Sequence, residues 1–315
     1  MTVHPQISVV INNYNYGRYL PDAIDSALAQ RDVQAEVVVV DDGSTDDSRH
    51  VISAYGDRIR AVFQKNGGQA AALNAGVATA TAPLLAFLDA DDWWQPGKLA
   101  AVVAAFGRAP DAGLVYHRLQ PTHLDGSKAF AAIPRSLCRG DLSRMLVASG
   151  GCWPFPMTSS LSVRRSVWDR AGNIPAGFRI SADAWITGVL PFLAPVVALP
   201  DALGAYRIHD NAWYRSSPDD AMLARRISHW EETVRVTNIF LAAQGRPERL
   251  DVADHFERAM ALARLDHPKA PGRLALFMHA LRDAGEPHPL RRLRTALRIM
   301  AAARGAAGQA EVGTS

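Results

Sequence analysis

The chain has 315 residues, of which 48% are hydrophobic and 21% charged, and its formal net charge is +3. This size and composition are typical of a globular protein with one large domain, or with one domain and a smaller appendage, and the weak charge gives no reason to expect nucleic-acid binding. The two cysteines exclude a disulfide framework and a cysteine zinc site and fit a reducing cytoplasm, and the sequence shows neither a signal-peptide core nor an apolar run of about 20 residues that would cross a bilayer.

The first 107 residues alternate between strand-like and helix-like patterns. Strands are predicted at 7–11, 36–40, 58–63 and 84–88, and helices between them at 19–30, 46–55 and 69–80. Three strand–helix repeats in succession predict a mostly parallel sheet, flanked by helices and joined by right-handed crossovers. We therefore predict an α/β fold.

The pattern becomes looser after residue 107 and helical towards the end. Further strands are predicted at 113–117, 158–163, 196–199 and 204–208, with helices at 96–106, 164–171, 219–244 and 250–265. Because the composition changes after about Ser216, we predict an α/β domain at 1–216, a helical C-terminal extension at 217–304 and a disordered tail at 305–315. The segment 150–157, rich in glycine and aromatic residues, is a candidate binding loop.

A basic amphipathic helix is predicted at 290–300, and it has two interpretations. It could lie on an anionic membrane surface as a peripheral contact. Alternatively, its leucine stripe packs on the α/β domain while its arginines face water, which is the commoner arrangement and the one that we favour.

Acidic residues follow two of the predicted strands, at the point where each strand ends. They are Asp41 and Asp42 after the second strand, and Asp89, Asp91 and Asp92 after the fourth. Because the carboxyl ends of parallel strands share one edge of a sheet, we expect both clusters at one binding crevice. Neighbouring carboxylates repel one another unless a cation neutralises them, and Mg²⁺ or Mn²⁺ takes oxygen ligands and often shares its shell with phosphates. The pattern favours a metal that holds a diphosphate, although a helix start capped by Asp91 or Asp92 would explain the same residues.

Two common phosphate-binding motifs are missing from the sequence. No G-x-G-x-x-G follows the first predicted strand, and no G-x-x-x-x-G-K-[ST] occurs. We therefore expect a metal and side chains, rather than a glycine-lined helix start, to hold the phosphates.

Several motifs, in their order and spacing, resemble the inverting glycosyltransferases of family 2. These motifs lie at 9–15, 39–46, 66–68, 74–76 and 88–92, with looser matches at Asp183 and 206–209. The resemblance implies a GT-A fold, which is Rossmann-like, over the predicted α/β domain. It also implies transfer of a sugar from a nucleotide-sugar donor, most often a UDP-sugar, to a hydroxyl of a saccharide or lipid-linked acceptor. Such enzymes serve in cell-surface polysaccharide or glycolipid assembly, here on the cytoplasmic side of the cell membrane.

The resemblance also implies roles for individual residues. Asp41 would bind the uracil, Asp89 would touch the ribose or a metal-bound water, and Asp91 would coordinate Mg²⁺ or Mn²⁺. His209 resembles a histidine that approaches the metal or diphosphate in some relatives, but a lone histidine is more often a structural residue. Donor binding is further expected from the remaining motif residues, which are Asn13, Tyr14, Asn15, Asp42, Gly68, Asn74, Ala90 and Arg207.

Asp183 is the candidate general base that takes the proton from the acceptor hydroxyl. Similar enzymes place this aspartate at a helix start, often after a glutamate, whereas this chain has Ala182 there. An acid at a helix N-terminus, favoured by the macrodipole, would also explain Asp183. A protein that binds nucleotide sugars without turnover, and a nucleotidyltransferase, remain alternatives.

Overall fold

We describe the protein from a computed structural model, which covers residues 4–154, 156–178, 181–209 and 219–310, the last of these without the side chains of 302–310. The chain divides into two compact units. The first, the α/β unit, comprises Met1–Leu142 and Phe155–Arg215. The second, the helical unit, comprises Ser143–Pro154 and Ser216–Ser315.

The strands of the described residues are β1 (Ile7–Asn13), β2 (Ala35–Asp41), β3 (Arg60–Phe63), β4 (Leu84–Asp89), β5 (Trp93–Trp94), β6 (Leu114–Thr122), β7 (Leu161–Arg164) and β8 (Val196–Arg207). They form one sheet in the order β3–β2–β1–β4–β7–β6–β8–β5. The two strands predicted at 196–199 and 204–208 are therefore parts of one longer strand, β8.

The helices are α1 (Leu20–Leu28), α2 (Ser48–Ser53), α3 (Gln69–Thr79), α4 (Lys98–Arg108), α5 (Ser143–Ala148), α6 (Arg165–Ala171), α7 (Asp183–Val189), α8 (Asp220–Ala243), α9 (Phe256–Arg264), α10 (Arg273–Arg282) and α11 (Pro289–Ala310). Helices α5 and α8–α11 belong to the helical unit. The predicted tail began at residue 305, whereas α11 continues to Ala310, and 311–315 lie outside the described residues.

Strand β1 lies in the middle of the parallel part of the sheet, with β2 on one side and β4 on the other. Its buried valine and isoleucine side chains explain this central position, since a strand covered on both faces reads as a continuous apolar run. Asn13 is aligned with Asp41 of β2, and Asn12 with Asp89 of β4. The two acidic strand ends therefore meet at one edge of the sheet, on either side of β1.

The rest of the sheet is mixed. Strand β7 runs antiparallel to both β4 and β6, and β8 runs parallel to β6. The end of β8 pairs antiparallel with β5, which follows the second acidic cluster directly: Trp93 is aligned with Ala205. This pairing carries the residues at the end of β8 back to the acidic turn after β4.

Helix α11 contradicts one expectation from the sequence. Its packed face centres on Ala296, which is fully buried in a core with Phe256 and Ala280, and not on the leucine stripe. Leu290 and Leu297 are 69% and 54% exposed. The favoured interpretation, in which the stripe is the packed face of this helix, is therefore wrong. None of the described helices is long and apolar enough to span a membrane.

Candidate functional site

The turn after β4 gathers three carboxylates. One oxygen from each of Asp89, Asp91 and Asp92 lies within 4.8 Å of the others, an arrangement that could hold a metal ion. Burial, together with the negative charges of Asp91 and Asp183, raises the pKa of Asp89 to about 7. Because this repulsion is relieved by a bound cation, and because an all-oxygen donor set suits a hard divalent ion, these residues fit Mg²⁺ or Mn²⁺.

Asp92 differs from its two neighbours because its carboxylate is already engaged. It is buried, and Ser159 Oγ donates to its Oδ2 at 2.5 Å while the Arg207 backbone N–H donates to its Oδ1 at 2.9 Å. The backbone N–H of Asp89 in turn donates to Ser159 Oγ at 3.1 Å. Asp92 thus fixes the turn through Ser159 and β8, whereas Asp89 and Asp91 are the partly exposed carboxylates of the cluster.

His209 lies beside Asp91, the other residue proposed from the sequence as a metal ligand. The distance between His209 Nε2 and Asp91 Oδ2 is 2.9 Å. The imidazole is held between Tyr16 and Tyr19, with ring centroids 5.5 and 5.4 Å away. The structure therefore brings the two candidate metal ligands together and fixes the orientation of the histidine.

Arg207, an expected donor-binding residue, is held by contacts to the acidic turn, to α1 and to two aromatic rings. Its Nε donates to the Asp91 backbone carbonyl at 2.7 Å, and its Nη2 donates to Asp22 Oδ2 at 2.6 Å. The guanidinium carbon lies 4.7 Å from the Tyr19 ring centroid and 4.5 Å from that of Trp93. These contacts fasten the end of β8 to the acidic turn, and nothing in the local sequence around Asp22 pointed to this ion pair.

Asp41 and Asn13 connect the ends of β1 and β2. Asn13 Nδ2 donates to Asp41 Oδ1 at 3.1 Å and to Ser44 Oγ at 3.2 Å. Arg49, which the sequence analysis did not single out, donates from Nε to Asp41 Oδ2 at 3.3 Å. The Asp41 carboxylate is fully buried in this arrangement, whereas the Arg49 side chain is largely exposed. A base that bound Asp41 would therefore meet Arg49 as well.

The loop that follows β1 is tied to the loop that follows β2. Asn15 adopts a left-handed backbone conformation with φ of 59°, its N–H donates to Ser44 Oγ at 2.9 Å, and its Oδ1 accepts from the Thr45 N–H at 2.7 Å. Tyr14, at the tip of this loop, is 46% exposed. The aromatic ring is thus presented to solvent from a loop whose backbone is fixed on both sides.

Asp42, Gly68 and Asn74 belong to the framework around the site. Asp42 accepts hydrogen bonds from the backbone N–H of Gly67 at 2.9 Å and of Gly68 at 2.7 Å, and so shapes the start of α3. Asn74 exchanges two 2.9 Å hydrogen bonds with the backbone of Ile174. Both polar atoms of the Asn74 amide are occupied there, so the structure does not bring this residue to the carboxylates.

Ala90 continues the strand alignment beyond β4. Its N–H donates to the Asn12 carbonyl at 3.2 Å, and its side chain is buried. The burial of this side chain favours a small residue between the two acids of the turn.

Asp183 is the first residue of α7, and it is buried with its Oδ1 lacking a hydrogen-bond partner among the described residues. Burial raises the pKa of this carboxyl to about 6, although backbone N–H groups, including that of Thr158, act in the opposite direction. A buried carboxylate with an unpaired oxygen is suited to accept a proton near neutral pH.

Gln69 connects this carboxylate region to the acidic turn, and the sequence analysis missed it. Its Nε2 donates to Asp89 Oδ1 at 3.0 Å, and its Oε1 accepts from the Ala182 N–H at 2.9 Å. One amide thereby spans from Asp89 to the residue before Asp183. The available signal was a single polar residue at the start of an alanine-rich helix, directly after a glycine pair.

The chain is similar to several known proteins. The profile of the family described as Glycosyl transferase family 2 matches residues 8–137. An uncharacterized glycosyltransferase of Nostoc sp. is 38% identical over 264 residues, which cover 80% of each chain.

Two solved structures have a similar fold. One is residues 1–349 of TarS from S. aureus in complex with UDP-GlcNAc, with a TM-score of 0.54, 16% identity and coverage of 92% of this chain and 90% of that chain. The other is the mannosyltransferase PcManGT from Pyrobaculum calidifontis in complex with GDP-Man and Mn²⁺, with a TM-score of 0.53, 20% identity and coverage of 97% and 76%.

Proposed function

This chain belongs to glycosyltransferase family 2 and is a glycosyltransferase with a GT-A fold, and on that basis we propose that it moves a sugar, with inversion, from a UDP-sugar to an acceptor hydroxyl in a metal-dependent reaction. The observation that carries the proposal is the alignment of two acidic strand ends beside β1. Asp41 is aligned with Asn13 and Asp89 with Asn12, so one crevice offers a polar residue for a base and carboxylates for a cation with a diphosphate.

In the proposed donor site, Asp41 accepts a hydrogen bond from the base and Tyr14 stacks on it. The exposure of Tyr14 and the hydrogen bonds that fix Asn13 and Asn15 support this assignment. Uracil is the proposed base because TarS was solved with UDP-GlcNAc, while PcManGT, which was solved with GDP-Man, makes guanine the alternative to be tested.

Asp91, Asp89 and His209 would hold Mg²⁺ or Mn²⁺. The chemistry that such an ion supplies when bound is neutralisation of the diphosphate that leaves with the nucleotide. The support for a metal is the cluster of carboxylate oxygens and, among proteins of this fold, the Mn²⁺ in the PcManGT complex. Asp92 would keep its structural role beneath the site.

Asp183 would act as the general base. As the acceptor oxygen forms its bond to the anomeric carbon, the bond from that carbon to the diphosphate breaks, and the hydroxyl proton passes to Asp183. With a pKa of about 6, Asp183 is mostly ionised at neutral pH and able to accept this proton. Gln69 would hold Asp89 and the start of α7 in register for the transfer.

The proposed acceptor is a hydroxyl of a saccharide or glycolipid, in the assembly of a cell-surface polysaccharide or glycolipid. Ala182 replaces the acid that similar enzymes often have before the base, so we expect the acceptor to be bound with one carboxylate fewer. Action in the cytoplasm, with a peripheral contact at the inner face of the cell membrane, is part of the same proposal.

Calorimetry with UDP and with GDP, each with and without Mn²⁺, tests donor and metal binding. We expect UDP to bind in the presence of Mn²⁺ and EDTA to abolish this binding. Asp91→Asn should weaken it at least about tenfold, because a carboxylate ligand is lost. Asp57→Asn, at an exposed acid outside the site, is the control. If neither EDTA nor Asp91→Asn lowers the UDP affinity measured for the natural chain with Mn²⁺, the metal role is refuted.

Transfer is tested separately from binding. With a donor identified from a thermal-shift screen of UDP-sugars and GDP-sugars, Asp183→Asn should keep UDP affinity but release UDP about 10²- to 10⁴-fold more slowly, because the general base is removed. If the natural chain binds UDP with Mn²⁺ but turns over none of the donors with saccharide or glycolipid acceptors, it is a donor-binding protein instead.

A further inference from the structure

Helix α11 carries an exposed apolar stripe, formed by Leu290, Leu293, Leu297 and Met300, which we call the leucine stripe. These side chains follow one another at intervals of three and four residues and therefore share one face of the helix. They are 69%, 44%, 54% and 42% exposed, respectively. The stripe is thus a continuous apolar surface beside the packed face, which centres on the buried Ala296.

The neighbouring α10 adds to this surface and is firmly attached to α11. Leu274 and Met278 of α10 are 68% and 36% exposed. Arg273, also of α10, donates from Nε to the Ile299 carbonyl at 3.1 Å, which ties the two helices together. The stripe is therefore presented by a packed helix pair rather than by a single unsupported helix.

The charge of this helix pair has one sign. Residues 273–282 and 289–310 contain no aspartate or glutamate, and their arginines are at positions 273, 282, 291, 292, 294, 298 and 304. Arg294 and Arg298 are exposed and lie on the helical face next to the leucine stripe. An apolar stripe bordered by arginines is complementary to a surface that is apolar inside and negatively charged outside.

We propose that the leucine stripe, with Arg294 and Arg298, docks the helical unit on an anionic lipid bilayer. An amphipathic helix with a basic polar face binds at the boundary between headgroups and acyl chains and does not cross the membrane. A second copy of the chain fits this surface less well, because two facing stripes would bring rows of arginine together with no acidic residue on either helix to pair with them. The inference rests on the proposed function in one respect only: membrane docking would serve to bring the enzyme to a glycolipid acceptor.

Vesicle flotation of the full-length protein tests the proposal without any substrate. The vesicles are of phosphatidylcholine alone, or of phosphatidylcholine with an equal amount of phosphatidylglycerol. We expect the protein to float with the mixed vesicles, to stay unbound with pure phosphatidylcholine, and to lose several-fold of its bound fraction in high salt, because salt screens the arginines.

Two double variants separate the apolar and the charged contributions. Leu293→Ser/Leu297→Ser and Arg294→Gln/Arg298→Gln should each reduce flotation with the mixed vesicles to the phosphatidylcholine level. Arg108→Gln/Arg225→Gln, which removes the same charge at exposed positions of α4 and α8, should float like the natural protein. All substituted side chains are exposed, and equal melting temperatures will verify that each variant is folded.

Three results would overturn the proposal. The first is an absence of flotation with the mixed vesicles, and the second is flotation that none of the variants changes. The third is a concentration-dependent dimer, measured by light scattering, that Leu293→Ser/Leu297→Ser abolishes, which would assign the stripe to a second copy. UDP binding with Mn²⁺ is measured on the same samples: intact binding without flotation refutes only the membrane contact, and flotation without UDP binding refutes only the proposed donor site.

Discussion

Gln69 is a single side chain that touches both halves of the proposed reaction centre. Its amide donates to Asp89 on the donor side and accepts from the Ala182 N–H at the start of the helix that carries Asp183. A neutral amide suits this position, because a carboxylate would repel Asp89 and a lysine would have nothing to accept the Ala182 N–H with. We therefore regard Gln69 as a positioning residue.

Replacing Gln69 with alanine should impair transfer more than donor binding. The Ala182 N–H and one oxygen of Asp89 would lose a partner, and α7 would be free to shift relative to the acidic turn. Since misplacement by about 1 Å can cost about 100-fold in rate, we expect kcat to fall about 10- to 100-fold with little change in the KM for the donor. Gln120→Ala, at an amide bonded to the Pro121 and Phe130 carbonyls, is the control. A KM that rises as much as kcat falls would contradict the positioning role.

The site residues differ in how far local sequence could predict them. The location of Asp41, Asp89 and Asp91 followed from where apolar runs end, because a parallel sheet puts all those ends at one edge. Asp42 and Asn74 instead form hydrogen bonds with the backbone of Gly67, Gly68 and Ile174. The sequence motifs do not indicate these pairings. The sequence therefore predicts which residues lie at this edge of the sheet, but not which of them form hydrogen bonds that hold the surrounding loops and helices.

Helix α3 approaches the sheet closely at Gly76, a residue of one of the family motifs. A Cβ added to Gly76 would lie 2.3 Å from Val10 Cγ1 and 3.2 Å from Val40 Cγ2. Both neighbours belong to buried strands, β1 and β2, and have little room to move. This motif position therefore serves the packing of α3 on the two strands that present Asn13 and Asp41.

We expect Gly76→Ala to destabilise the protein by about 1–3 kcal/mol, because overpacking outweighs the gain of about 1 kcal/mol in helix propensity. Gly107→Ala is the matched control: Gly107 also lies in a helix, has no atoms within 4 Å of its added Cβ, and should be neutral or stabilising. Urea unfolding measures both. Equal stabilities would mean that α3 is less tightly packed than described.

Helix α9 is capped at its N-terminus by a histidine whose role depends on its protonation state. His255 Nδ1 accepts a hydrogen bond from the Arg258 N–H at 3.2 Å, and its ring stacks on Trp230 with centroids 4.9 Å apart. Burial, followed by the nearby charges of Arg258 and His279, lowers the pKa of His255 to about 4. Only the neutral imidazole can accept this N–H, so protonation removes the helix cap.

The folded state should therefore lose stability in acid. Because the unfolded chain takes up the proton at a pKa of about 6.5 and the folded chain only at about 4, stability falls as pH drops through this interval, by up to about 3 kcal/mol for this group. Thermal midpoints between pH 7.5 and 4.5 measure the loss. His255→Asn keeps an acceptor at the cap but does not titrate, and should reduce this dependence; identical pH profiles would contradict the prediction.

At the scale of the whole molecule, the sequence predicted the local repeats well and the long-range pairings poorly. The three strand–helix repeats can be recognised from the hydrophobic pattern of consecutive residues, and they form the parallel part of the sheet around β1. The return of β8 to β5 and the antiparallel β7 arise from contacts between segments far apart in the chain, for which the sequence carries no local signal.

The segment at 150–157 illustrates the same limit. It had the composition of a binding loop, but Gly150 and Gly151 pack against Asp251 and Leu250 in the helical unit. Both glycines have positive φ, and a side chain at Gly150 would lie 2.5 Å from the Asp251 carbonyl oxygen. Glycine is thus required at position 150 for close packing within the helical unit.

The discontinuous helical unit limits how this enzyme can be dissected or inherited. One of its pieces, Ser143–Pro154, is embedded within the stretch that encodes the α/β unit. A chain truncated after Arg215 would keep Gly151 but lose Leu250 and Val234, the residues that lie next to it in the helical unit. A single recombination event cannot exchange the helices cleanly, so a hybrid enzyme with a foreign helical part must receive both pieces together.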